Sequence, residues 1–457
     1  MHFIQSLVSL ALACATAIPL IEARPSGHES RSDPLSLISP IRGFSFERMA
    51  ATREPCELKP TRNFQRMKGI SRKGAASRTA PVRIGAYQRQ ATPNDGAYQN
   101  ITTTDARGVA YAVEVDINGV SVNLIVDTGS SDTWSVQSNY TCTDYMGSML
   151  QQGACAFGHT KPQTFQYGPV PDVHLFVQYG DGEMVSGPMG LSDVTLANIT
   201  VEKQQIALVN ESYWIGDNYT TGILGLGYPS ITDAFYGEPY DHEQYQSAPY
   251  SPVFTRMVQQ GLVDPVFSLA ISRNSTGGLL GWGGIPDIIN GLDSSTYGYA
   301  DIIIANIVGD PHTAWAYSFY TIIPDGFQFG MSTNEDKYPF IIDSGTTVNY
   351  LPLILADAIN AAFDPPAKYL YSYGAYFTSC DAVAPPFSVV IGGTAFLINP
   401  KDMILRNQKD PLTGLCMTTV STGGTGPFIL GDAFLQNVLA VFDIGSAQMR
   451  FYGRPYY

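Results

Sequence analysis

Two short segments limit what this chain can fold into more than any other feature: Asp127-Thr128-Gly129-Ser130 and, far downstream, the variant Asp343-Ser344-Gly345-Thr346. Each follows an apolar run, Asn123-Leu124-Ile125-Val126 and Pro339-Phe340-Ile341-Ile342, so each reads as a buried strand that ends in a carboxylate. An ionised carboxylate placed there loses its hydration and needs donors in exchange. The neighbours supply them: Gly129 and Gly345 let the backbone fold tightly beneath the acid, and the Ser130 and Thr346 hydroxyls can reach its oxygens. If the two loops meet across a pseudo-two-fold axis, the carboxylates cannot both ionise and one proton is shared over a wide acidic range. Such a pair can activate water. A structural Asp in a tight turn is the alternative for either segment alone, and the repeated flanking pattern argues against it.

At 457 residues the chain exceeds one ordinary core, and the internal duplication divides it into two lobes. Abundant Gly, Thr, Ser and Tyr with short β-branched runs predict an all-β architecture. Helices are expected only at Pro252 to Gln260, Leu353 to Ala362 and Asp432 to Asn437.

The uncharged run Phe3 to Leu20, with the small residues Ala15-Thr16-Ala17, reads as a signal peptide over residues 1–20, against the alternative of a membrane anchor. No second apolar span follows, so a soluble product is expected. Residues 1–90 carry 14 Lys plus Arg and 6 Asp plus Glu, a net +8, whereas residues 91–457 carry a net −22. That division fits a basic propeptide, residues 21–90, lying on an acidic body and released as carboxylates protonate. A basic tail for an anionic surface is the alternative. The acidic body argues against nucleic-acid binding, and scattered His residues without a CxxC predict no metal or other cofactor. Six sequons, at Asn100, Asn139, Asn198, Asn210, Asn218 and Asn274, point to glycosylation on a secretory route. Cys14 and Cys56 fall in segments expected to be removed, which leaves Cys142, Cys155, Cys380 and Cys416 for two bridges in an oxidising compartment.

With their flanks, these segments resemble the pepsin-like aspartic proteases, in particular secreted fungal members. Asp127-Thr-Gly-Ser-Ser-Asp-Thr-Trp134 and Asp343-Ser-Gly-Thr-Thr347 look like the two active-site segments, and Val177-Gln-Tyr-Gly-Asp-Gly182 like the flap hairpin. Gly222-Ile-Leu-Gly-Leu-Gly-Tyr-Pro229 and Phe428-Ile-Leu-Gly-Asp-Ala-Phe434 resemble the paired apolar-apolar-Gly segments, with Val441-Phe-Asp443 after the second. The ordered match covers roughly residues 105 to 457.

The resemblance implies a bilobal pepsin-like fold, with an N-terminal lobe over residues 91–273, a C-terminal lobe over 274–457 and a cleft between. It implies a secreted aspartic endopeptidase made as a zymogen, with Asp127 and Asp343 as the catalytic pair. Thr128, Gly129, Ser130, Trp134, Ser344, Gly345 and Thr346 would support them, Ser344 standing where Thr is commoner. Tyr179, Gly180, Asp181 and Gly182 would form a flap over the substrate, with Tyr179 bonded to Trp134 and Asp181 favouring a basic residue before the cleaved bond. The disulfides would be Cys142 with Cys155 and Cys380 with Cys416, in line with chain locality. Partners would be polypeptide substrates and the chain's own propeptide, one of Lys59, Lys68 or Lys73 blocking the pair. A monomer without membrane anchor is expected, secreted or, alternatively, vacuolar. The competing reading is a catalytically inactive binding or inhibitor protein of the same fold.

Overall fold

Period-two burial builds the first lobe. Along Val120–Asp127 the side chains of Val122, Leu124 and Val126 are buried, while Ser121, Asn123 and Ile125 between them are only half-buried. Asn118 and Gly119 both take positive φ, as a two-residue hairpin demands, and Asp116 accepts the Gly119 N–H at 2.7 Å. The structure, a computed structural model, describes residues 98–454 apart from 104–109, 238–245, 273–277, 287–292, 305–315 and 425. The signal segment, the basic leader with its three candidate lysines, and Asn274 lie outside the described residues.

The strands of this lobe are β1 (Tyr98–Thr103), β2 (Tyr111–Ile117), β3 (Val120–Asp127), β4 (Thr133–Thr143), β5 (Met149–Leu150), β6 (Pro169–Gln178), β7 (Met184–Leu196), β8 (Ile199–Tyr213) and β9 (Gly222–Gly225). Apart from β5, which pairs with β4 off this path, they lie in the order β6-β7-β8-β4-β9-β3-β2-β1. β1 then pairs onward with Gly278–Trp282, and the sheet continues through Val266–Ile271, Val438–Asp443, Gln448–Gly453 and Asp293–Asp301. One strand therefore stitches the first lobe to the backing sheet shared with the second. The second lobe adds a five-stranded sheet that carries Phe340–Ile342 and Phe428–Leu430, and two four-stranded sheets.

Among the described residues α-helix is confined to α1 (Val253–Gln259), α2 (Leu353–Ala361) and α3 (Asp432–Leu435), within the three stretches expected. Pro252 and Pro352 precede the first two and fix the φ at which each starts. The main core spans both lobes, and Phe267 stacks on Phe442 at 4.4 Å between adjacent strands of the backing sheet. Burying one such ring contributes roughly 2–3 kcal/mol. A second cluster around Trp134 lies beneath the β6–β7 hairpin.

The disulfides are Cys142–Cys155 and Cys380–Cys416, closing loops of 13 and 36 residues, each restricting the unfolded chain by roughly 3–4 kcal/mol. Among the described residues no helix is long and apolar enough to cross a membrane.

Candidate active site

Each acidic segment is delivered by a strand that runs parallel to an apolar-apolar-Gly strand. Asp127, last in β3, lies level with Gly225 of β9, and Ile342, just before Asp343, lies level with Leu430. Leu124, Val126, Phe340 and Ile342 are fully buried, so the strands sit deep and only their ends reach the cleft. The partner glycines are steric requirements. A Cβ on Gly225 would come within 2.4 Å of the Ser131 backbone, and one on Gly431 within 2.2 Å of the Thr346 carbonyl.

The two loops are bonded as mirror copies. Asp127 Oδ1 accepts the Gly129 N–H at 2.8 Å and Asp343 Oδ1 accepts the Gly345 N–H at 2.8 Å. Ser130 Oγ donates to Asp127 Oδ2, and Thr346 Oγ1 donates to Asp343 Oδ2 at 2.6 Å. Beneath them Thr128 Oγ1 donates to the Ile342 carbonyl at 2.9 Å, while Ser344 Oγ donates to the Val126 carbonyl at 2.8 Å. Each of these hydroxyls also accepts the other's backbone N–H, at 3.2 and 3.0 Å. Ser344 thus makes every bond that a Thr would make there, and lacks only the methyl.

The carboxyls face one another through the glycines. A Cβ at Gly129 would lie 2.5 Å from the Asp343 carboxyl carbon, and one at Gly345 would lie 2.5 Å from Asp127 Oδ1. Neither position can carry a side chain without displacing the opposite acid. Burial, then the charge of Asp343, pushes the Asp127 carboxyl from 3.8 up to about 7, against the pull of Ser130 and Gly129.

Strands β6 and β7 form the hairpin over the pair. Its turn is closed by Tyr179 N–H to the Glu183 carbonyl at 2.8 Å and by Gly182 N–H to the Tyr179 carbonyl at 2.9 Å. Gly182 uses its freedom at φ +92°, whereas Gly180 has an ordinary φ and open space around it, so its lack of a side chain is not a steric need of this conformation. Trp134 Nε1–H donates to the Tyr179 hydroxyl at 2.7 Å, which satisfies the buried indole. Asp181 is exposed at the tip and accepts the Glu183 N–H. The protein on its inner side raises its carboxyl above the aspartate range. Glu183 turns away from the tip: it is buried, accepts the Ile215 N–H at 2.5 Å, and is held well above the carboxylate range by burial and then by Asp181.

Three further features were not legible in the chain. Trp214 packs edge-on to Trp134 at 5.2 Å and to Tyr179 at 5.7 Å, stacking on Phe157 at 5.6 Å, so an aromatic cluster anchors the base of the hairpin. Asp132, within the first acidic segment, is buried and accepts the Asp233 N–H at 2.9 Å and the Tyr250 hydroxyl at 2.8 Å. It ties the active-site loop to Ala234–Tyr236, which pairs with the hairpin strand β6, and burial lifts its carboxyl to about 6. Asp432, first in α3, is fully buried, and neither carboxyl oxygen has a partner among the described residues. Burial, then the charges of Asp343 and Asp127, holds its carboxyl well above the aspartate range. Asp132 and Asp432 both lie in segments conspicuous in sequence; their partners and burial do not.

A two-lobed β-fold with mirrored acidic loops at its cleft defines a class. Residues 110–452 match the family described as eukaryotic aspartyl protease, and the chain belongs to that family and so to the aspartic-type endopeptidases. It is 40% identical over 357 residues to a probable aspartic-type endopeptidase of Aspergillus fumigatus, covering 75% of this chain and 78% of that protein. An acid protease of Saccharomycopsis fibuligera is 28% identical over 345 residues, covering 74% and 78% respectively. The crystal structure of an aspartic proteinase from Irpex lacteus shares the fold with a TM-score of 0.57 at 21% identity, over 79% of this chain and 98% of that one.

Proposed function

We propose that this chain is the zymogen of a secreted acid endopeptidase in which Asp127 and Asp343 act as general base and general acid. The observation that carries the reading is the mirrored bonding of two buried carboxyls that face each other across paired glycines. The pair holds a water between an ionised and a neutral carboxyl. The ionised one takes a proton from that water as it attacks the scissile carbonyl, and the neutral one protonates the carbonyl oxygen. A tetrahedral diol results, and transfer of a proton to the amine nitrogen breaks the C–N bond. Which Asp starts protonated is a property of the pair. The hairpin bearing Tyr179 closes over the bound polypeptide and restricts water.

In the same reading residues 1–20 direct secretion, residues 21–90 are an inhibitory propeptide, and the lobes divide near residue 273. Asn100, Asn139, Asn198, Asn210 and Asn218 are all exposed, as glycan acceptors must be. The two disulfides suit an oxidising route. Incubating the purified precursor at acid pH should release a basic leader ending between about residues 80 and 100 and start hydrolysis of a denatured protein, which a statine peptide should block. A precursor that persists in acid, with its Asp127→Asn form untouched by added active enzyme, would contradict self-inhibition by the leader.

Asp181 sets a preference for Lys or Arg immediately before the cleaved bond, through a charge-assisted contact in a partly dry cleft. Asp181→Ser should lower kcat/KM on such substrates by on the order of 1–3 kcal/mol of transition-state binding and leave Phe or Leu substrates nearly unchanged. The raised carboxyl requires the assay to run at the upper end of the active pH range, where Asp181 is ionised. Equal losses on both substrate types would reduce its role to shaping the hairpin.

A further inference from the structure

We propose that the disulfide-closed hairpin of residues 142–155 is an exosite, a surface outside the cleft that holds an unfolded stretch of polypeptide substrate rich in apolar and cationic side chains. The inference rests on the endopeptidase reading and adds where a long substrate is gripped.

The hairpin is a built element. Cys142 and Thr143 of β4 pair with Leu150 and Met149 of β5, and the disulfide to Cys155 closes the base. Asp144 Oδ1 accepts the N–H groups of Met146 and Ser148 at 2.9 and 2.8 Å, and Gly147 takes the positive φ that the turn needs. On this pinned tip Tyr145, Met146, Met149 and Leu150 are 55, 82, 79 and 45% exposed. Elsewhere among the described residues, exposed large apolar side chains stand singly along the chain or as the one adjacent pair Leu353-Ile354. Four within six consecutive residues of one ordered hairpin concentrate exposed apolar surface of the kind that marks a contact surface. Methionine suits a surface that must accept varied sequences, because its side chain is flexible and polarisable.

Position and charge select the occupant. The Tyr145 ring meets the edge of Tyr213 at 6.0 Å, and Tyr213 pairs across the sheet with Met184, the first residue of the return strand of the hairpin over the cleft. The apolar tip is therefore continuous with the cleft border. Half-buried Asp144 in the turn and exposed Asp181, three residues before Met184, place carboxylates along the rim of the patch. A second copy of the acidic body would be repelled there. A cationic, apolar chain leaving the cleft would be drawn along it.

The test compares two substrates, reduced and alkylated lysozyme, which is a basic unfolded chain, and a six-residue chromogenic peptide that fills only the cleft. The double variant Met146→Ser/Met149→Ser should raise KM for the long chain about tenfold with kcat unchanged, and alter kcat/KM for the short peptide by less than about twofold. Asp144→Asn keeps the acceptor that orders the turn and should reproduce part of the KM rise, more at low salt than at high. In an Asp343→Asn background, fluorescence anisotropy of the labelled lysozyme chain should show the same loss of affinity on changing the two methionines. Equal changes on both substrates, or unchanged affinity for the long chain, would overturn the exosite. Binding that depends on the tip, in a wild type that cuts neither substrate, would leave the exosite standing and overturn the endopeptidase reading instead.

Discussion

Asp127→Asn or Asp343→Asn is expected to lower kcat/KM for peptide hydrolysis by at least about 10³-fold, toward the upper end of what general acid–base catalysis contributes. The amide is isosteric with the carboxyl, so the Gly129 and Gly345 N–H groups keep their acceptors and the fold should be retained. The loss is chemical: an amide at either position can neither take the proton from water nor share one with its partner. Circular dichroism should show an unchanged fold beside the lost activity. A variant that keeps more than about a tenth of wild-type activity would sink the pair assignment. The same physics sets the pH profile of the wild type. Activity needs one negative charge on the pair, so it should fall in strong acid as both carboxyls become neutral. It should also fall as pH passes about 7, where the pair loses its shared proton.

The fold itself should be most stable in acid and weaken as pH rises from about 4 to 7. Asp127 and Asp132 have folded values near 7 and 6 against an ordinary 3.8, and burial holds Glu183 and Asp432 well above their ordinary values too. Between the unfolded and folded values the native state binds more protons than the unfolded chain, so unfolding free energy falls with rising pH. Their stabilisation is complete below about pH 4 and is lost as pH climbs through each folded value. Asp132 alone accounts for about 3 kcal/mol over that window. Mutual repulsion within the −22 body acts in the same direction. The midpoint of thermal unfolding should therefore drop on the order of 10 °C between pH 4 and pH 7. Asp132→Asn, which keeps an acceptor for the Asp233 N–H, should flatten that slope. A midpoint that is flat or rising over this range would show that these carboxyls are solvated in the folded protein.

The two features behind these predictions differ in how far the chain alone reveals them. The acidic segments are readable because their demands are local: an apolar run, an acid, a glycine and a hydroxyl lie within a few consecutive residues, and their duplication implies a partner. Helix positions were readable for the same reason, since Pro252 and Pro352 mark their starts. The clasp of Asp132 on Asp233 and Tyr250 was not, because its two partners lie 101 and 118 residues away in a stretch without pattern. Nor did the sequence separate Asp181 from Glu183: two acids one residue apart in one turn read alike, and only packing sends one to solvent and buries the other against Ile215. The Cys142–Cys155 bridge was expected from the chain, but the exposure of Met146 and Met149 on the turn it closes follows from strand register and packing. What the sequence determined by itself is the family and the two strand ends that carry its paired acids, because backbone and donor requirements act over neighbouring residues. What only the tertiary structure decided is which carboxyls lose their water and which apolar side chains keep theirs, because desolvation is set by atoms brought together from distant parts of the chain.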